Sequence, residues 1–257
     1  KIIKSFNMEK FEEKKFIRKI IGSNEVIKGS ERYCIWVEDN NLQDALMLPG
    51  IAKQIKKVQE WRLKSPRAAT RSMASRSHQF CEMKSGNESV LIVPIRSSEN
   101  RPYLPFSLYD QTYTVSNLAY AIYDPDLVDI SVIASKLHLL WISTVCGKLE
   151  TRLSYSNKMG WNTFPMPQLT EKNREDLARC AEDILLARES HFPATIADLY
   201  DPETMPENLR LAHERNDEIL ERIYIGRKFK NDTESLEKLF DLYTQMTSDS
   251  SSIKTKR

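Results

Sequence analysis

Glycine is scarce in this sequence of 257 residues and 29.9 kDa: there are 7 glycines, alongside 11 prolines. That excludes collagen-like and low-complexity chains. No GxGxxG or GxxxxGK[ST] loop occurs, and neither does HExxH or GxSxG. The common dinucleotide, P-loop, zinc-protease and serine-hydrolase signatures are therefore missing. No uncharged apolar window reaches the ~18 residues of a membrane span. The richest stretch, 127–145, is interrupted by Asp129, Lys136 and His138. No signal peptide opens the chain, and Lys1 in place of Met points to a piece of a longer polypeptide.

Cysteine is equally sparse. Cys34, Cys81, Cys146 and Cys180 form no CxxC and no Cys/His cluster. A structural zinc site is not expected, and isolated cysteines fit small buried hydrophobes in a reducing cytoplasm. The four histidines, His78, His138, His191 and His213, lie far apart. His138, inside the apolar stretch, reads as a core residue rather than a base. His213 with Glu214 reads as a helix-surface pair.

What the chain does have is a charge asymmetry. Apolar residues make up 40% and charged residues 29%, enough for a real core. Net charge is only +2, but residues 1–168 carry 24 Lys and Arg against 17 acids, while 169–248 carry 11 against 18. A basic part followed by an acidic part points to two domains with different partners, and the basic one favours a polyanion.

Periodicity supplies the elements. Residues 9–21 read as a helix ended by Gly22, and 33–37 as a short β-prone run. Ile51, Ile55, Val58 and Trp61 recur at helical spacing, marking an amphipathic helix over 50–63 that Pro66 stops. The run 90–94 (VLIVP) reads as a buried strand, and 103–108 and 113–123 as further strands. Residues 127–145 read as one buried helix. From Thr170 the pattern is helical, with stripes Leu177–Ala181–Ile184, Leu209–Ala212–Ile219–Ile223 and Leu236–Leu239–Tyr243. The predicted class is α+β: a mixed α/β domain, then an all-α helical domain. The domain limits are a lead-in over 1–30, the mixed domain over 31–168, helices over 169–248 and a disordered tail over 249–257.

Two sets of residues carry candidate chemistry. Arg62, Lys64, Arg67, Arg71 and Arg76 follow one another without an acid, separated by small residues and closed by His78 and Gln79. Such a loop can hold phosphates, or be ordinary solvated surface. A strand over 150–155 would put Glu150, Arg152 and Ser154 on one side. Arg can pair bidentately with guanine and Glu can accept from the cytosine amino group, so the two can read a C·G pair. A plain surface ion pair is the other reading.

Longer words in the sequence carry a resemblance. CGKLETRLSYS (146–156) and WNTFP (161–165) resemble the end of the target-recognition domain in the MmeI-like family of type IIL restriction–modification enzymes. RSHQF (76–80), VP (93–94) with SSE (97–99), and SN (116–117) with AIY (121–123) resemble the same family. HFPATIADLYDP (191–202) and MPENLR (205–210) resemble its C-terminal helical domain.

The resemblance implies double-stranded DNA as partner and an S-adenosylmethionine-dependent adenine-N6 methyltransferase as the complete protein. It also implies an upstream nuclease domain of the same polypeptide, with magnesium if that domain is present. The fragment itself would hold no cofactor or metal and would have no catalytic residue, for the family's cofactor and Asn-Pro-Pro-Tyr motifs are absent from it. The resemblance further implies base readout by Glu150 and Arg152, with C as the last base. Ser154, Asn117 and Leu118 fall at other specificity positions, with the partner of Asn117 expected near Ile95–Arg96. Backbone contacts are expected from Arg67, Arg71, Arg76, His78, Gln79, Ser97, Ser98 and Arg101. A helical protein-interaction adaptor and an unrecognised hydrolase are the alternatives. No membrane partner is expected.

Overall fold

The structure, a computed structural model, describes residues 14–254, with side chains to residue 248. Nine strands occur among these residues: β1 (Ile17–Ile21), β2 (Tyr33–Ile35), β3 (Ser89–Pro94), β4 (Arg96–Ser97), β5 (Ser107–Asp110), β6 (Thr114–Val115), β7 (Ala119–Tyr123), β8 (Lys148–Leu149) and β9 (Arg152–Ser154). They form three small sheets, ordered β2-β1-β6, β5-β3-β7 and β4-β9-β8. The helices are α1 (Ser23–Lys28), α2 (Leu42–Leu46), α3 (Pro49–Leu63), α4 (Ala68–Ser72), α5 (Leu127–Ile133), α6 (Lys136–Val145), α7 (Glu171–Glu189), α8 (Ile196–Leu199), α9 (Glu207–Ile225) and α10 (Asp232–Lys254). Strands precede residue 155 and long helices follow it, the expected α+β class.

β3 shows why an unbroken apolar run makes a strand. Leu91 and Val93 face the main core, while Val90 and Ile92 face a second cluster with Ile21, Val26 and Ala119. Both faces are buried, so no polar alternation is required. The main core then crosses the chain. Tyr103, Phe106, Ile133 and Trp141 pack with Leu177, Ile184, Leu209, Leu220 and Leu239 from the C-terminal helices. The two halves share one interior.

Residues 127–145 form two helices rather than the one expected, bent by 61°. The break at Ala134–Ser135 is built from side chains. Ser135 caps α6 by accepting from the His138 N–H, and Asp217 of α9 accepts from the Lys136 N–H at 2.8 Å. Tyr103 donates its hydroxyl to the other oxygen of Asp217 at 2.9 Å. His213, buried rather than on the helix surface as expected, lies 2.9 Å from the Ala134 carbonyl and 2.9 Å from the Tyr200 hydroxyl. Among the described residues no single helix is long and apolar enough to cross a membrane.

Burial drives the His138 and His213 pKa values down from 6.5 to about 3, and drives Asp217 up to about 7. Each histidine is protonated in the unfolded chain before the folded one, so each costs stability as pH falls below 6.5. Asp217 takes up its proton first in the folded state and offsets one of them. With two histidines against one carboxyl, the three groups together lower stability as pH falls below 6.5. Urea midpoints measured across this range fall accordingly, and His138→Gln flattens the fall; an unchanged slope in that variant would contradict the assignment.

Other expectations are corrected. In the predicted 9–21 helix, residues 9–13 lie outside the described residues, Lys14 is helical, and 17–21 are β1. Pairing with β2 and β6 outweighs the local helical pattern there. Tyr103, Leu104 and Phe106 are buried but not in a strand, because Pro102 and Pro105 have no N–H to give a ladder. The 113–123 stretch splits at 116–118, sending β6 and β7 to different sheets. The predicted tail is helical to Lys254, and residues 255–257 lie outside the described residues. Thr244 and Thr247, in the turns just before it, bond back to the carbonyls of Phe240 and Tyr243 and so fit the helix. Cys146 and Cys180 are buried as expected, but Cys81 is exposed and Cys34 only partly covered.

Candidate nucleic-acid interface

β8 and β9 form a hairpin in which Leu149 pairs with Arg152, leaving Glu150 and Thr151 as its two-residue turn. Glu150 therefore lies in the turn and not on a strand, as the alternation argument supposed. Its φ is 58°, the left-handed region where such turns usually carry glycine. Leu153 is the buried anchor of β9, and Arg152 and Ser154 point the other way. Glu150 and Arg152 still meet, with the guanidinium 2.8 Å from the carboxylate. Both are more than half exposed, so the contact adds little to stability. The hydrogen bond that Arg152 donates to Glu150 raises the Arg152 pKa, keeping its charge fixed.

Arg96 lies directly across from Ser154 in the β4–β9 ladder, and its guanidinium donates to the Ser154 hydroxyl at 3.1 Å. The β3–β7 register ends at Pro94 opposite Ala119, which brings 95–96 beside 117–118. Ser23 ties them together: its hydroxyl donates to the Leu118 carbonyl and accepts from the Ile95 N–H. Asn117 and Leu118 are exposed there. Glu150, Arg152, Ser154, Arg96, Asn117 and Leu118 thus converge from three chain segments onto one surface. Glu99 joins them. A hydrogen bond from Thr151 holds its carboxyl below the usual range, with Arg152 and Lys148 adding attraction. Sequence reasoning passed over Glu99 as a site residue, and no local signal links it to a turn fifty residues away.

The basic segment is more ordered than a loop. Arg62 is only 8% exposed and donates to the carbonyls of Met73, Arg76 and Gln79 at 2.7–2.8 Å. It staples the segment from inside, and its burial keeps it away from a phosphate. Arg71 donates to the Ser65 and Pro66 carbonyls. Arg67 and Arg76 remain exposed. His78 is buried with Nε2 2.8 Å from Asp39, and Gln79 donates to the same oxygen. Ser97 is buried, Ser98 and Arg101 partly so, and burial lowers the Arg101 pKa. No hydrogen bond or ion pair among the described residues joins 62–79 to the hairpin.

Known proteins resolve what this arrangement belongs to. Residues 3–168 match the family described as MmeI, target recognition domain, and 169–250 match MmeI, C-terminal domain. The chain belongs to the MmeI family and spans these two parts of it. DNA methyltransferase A of Bacillus subtilis (strain 168) is 36% identical over 232 residues, which is 90% of this chain and 26% of that protein. A solved structure of the type IIL restriction-modification enzyme MmeI in complex with DNA superposes with a TM-score of 0.87 at 33% identity. It covers 92% of this chain and 32% of the other. The chain spans about a quarter to a third of the length of these relatives.

Proposed function

We propose that this chain is the sequence-reading part of an adenine-N6 DNA methyltransferase that uses S-adenosylmethionine, fused in one polypeptide with methyltransferase and nuclease domains. The observation that carries the reading is the convergence of Glu150, Arg152, Ser154, Arg96, Asn117 and Leu118 on one surface. Residues 31–168 act as the recognition domain, entered by 1–30, and 169–248 as its helical support. Glu150 accepts from a cytosine amino group while Arg152 donates to the paired guanine. Arg67 and Arg76 meet phosphates, as do Ser98, Arg101 and the free face of Arg71. His78, Gln79 and Ser97, being buried or bonded within the chain, set the segments that carry them.

The strand–glycine–helix junction at residues 21–23 offers S-adenosylmethionine no cradle. Gly22, which joins β1 to α1, has the space beside it filled by Ser116 and Glu25 and opens no cradle. On this reading the cofactor and the methyl transfer belong to the upstream domains, which receive the target adenine flipped from the stack. Single-molecule methylome sequencing of a host expressing the full-length gene tests the reading. The expected result is methylated adenine in an asymmetric motif ending in C. A motif ending in another base would overturn the Glu150/Arg152 readout, and no methylation would overturn the methyltransferase assignment.

A further inference from the structure

Trp61 belongs, by sequence spacing, to the apolar stripe of α3, yet it stands 69% exposed. Ile51, Ile55, Val58 and Arg62 form the inward face, and Trp61 falls one position off it. Residues 53, 57, 61 and 64 lie one above another at helical spacing. They are Lys53, Lys57, Trp61 and Lys64, all exposed. Among the described residues none of these three lysines has a carboxylate within ion-pair distance. The Arg62 staple then fixes the basic segment that follows at the end of the same helix.

An indole carries about 150–250 Å² of surface, and here it stands in a row with three lysines that have no ion-pair partner. Its surroundings choose the partner. Lysine is depleted in protein–protein interfaces, so a ring flanked by lysines on one helical face does not suit an apolar protein groove. Phosphates suit the lysines, and the flat ring can lie against the sugars between them.

We propose that the Lys53–Lys57–Trp61–Lys64 face of α3 is a sequence-independent contact for duplex DNA, separate from the hairpin that reads bases. The inference rests on the reading that this chain binds DNA. The test uses the whole chain and a short labelled duplex of arbitrary sequence. Wild-type protein binds with a steep salt dependence, and the duplex quenches tryptophan emission. The triple variant Lys53→Gln/Lys57→Gln/Lys64→Gln lowers the log–log salt slope by about 2–3 and weakens binding without changing the melting temperature. Trp61→Phe removes most of the quench, since Trp36 and Trp141 are buried and Trp161, partly covered, lies outside this helix. Unchanged affinity and slope in the triple variant would overturn the stripe while leaving DNA binding by the chain intact. Wild-type protein that fails to bind even at low salt would overturn the DNA reading itself. Trp61 emission that responds to protein concentration and not to duplex would assign the face to a second copy and overturn the proposal.

Discussion

Deleting residues 169–257 leaves a recognition half that does not fold. The C-terminal helices are part of its interior, with Leu177, Ala181 and Ile184 of α7 and Leu209 and Leu220 of α9 packed in the same core as Ile133 and Trp141. Burying each large aliphatic side chain contributes about 1.5–3 kcal/mol, so four or five of them together match the ~5–15 kcal/mol by which a domain is stable at all. The deletion also removes Asp217, the carboxylate that receives the first N–H of α6, and leaves Lys136 N and the Tyr103 hydroxyl without partners in an apolar setting. The expected product is insoluble, or a collapsed chain without cooperative melting. Sharp thermal unfolding by circular dichroism in the 1–168 fragment would show that the shared interior is dispensable.

Reversing the hairpin charges should reverse the base pair it reads. In full-length protein, Glu150→Lys with Arg152→Asp keeps an ion pair across the turn but exchanges the donor and acceptor ends. A lysine then faces the position where the carboxylate met cytosine and prefers guanine there, while the aspartate accepts from cytosine on the other strand. The last position of the methylated motif is expected to change from C to G. Each single variant, with two like charges together, is expected to lose about 10–100-fold in activity on the original motif, the cost of one unsatisfied base pair. Methylome sequencing of the three strains reads all of this at once. A double variant that still methylates only motifs ending in C would remove Glu150 and Arg152 from the readout. The exposure of both side chains makes the exchange neutral for folding, so loss of protein is not the expected outcome.

These two expectations differ in how far the sequence exposes their basis. The β3 run and the α7 stripe are legible because local periodicity and burial coincide there. The residues of the proposed recognition surface are legible by resemblance, but their assembly is not. Glu150 reaches Arg152 through a turn rather than along a strand, and Arg96 reaches Ser154 by a ladder between segments 58 positions apart. Periodicity also misplaces residues at the edge of a face. Trp61 counts as apolar and is outside, whereas Arg62 counts as basic surface and is inside, because three carbonyls of a distant turn satisfy its fork. His213 is hidden for the same kind of reason. Its burial depends on the break after Ala134, and that break depends on α9.

The backbone of Glu150 has a consequence for anyone improving this protein. A left-handed turn position costs a non-glycine residue about 1–2 kcal/mol. Any procedure that ranks substitutions by thermal robustness alone will rank glycine there first. It would return a sturdier hairpin without the carboxylate that we propose meets cytosine.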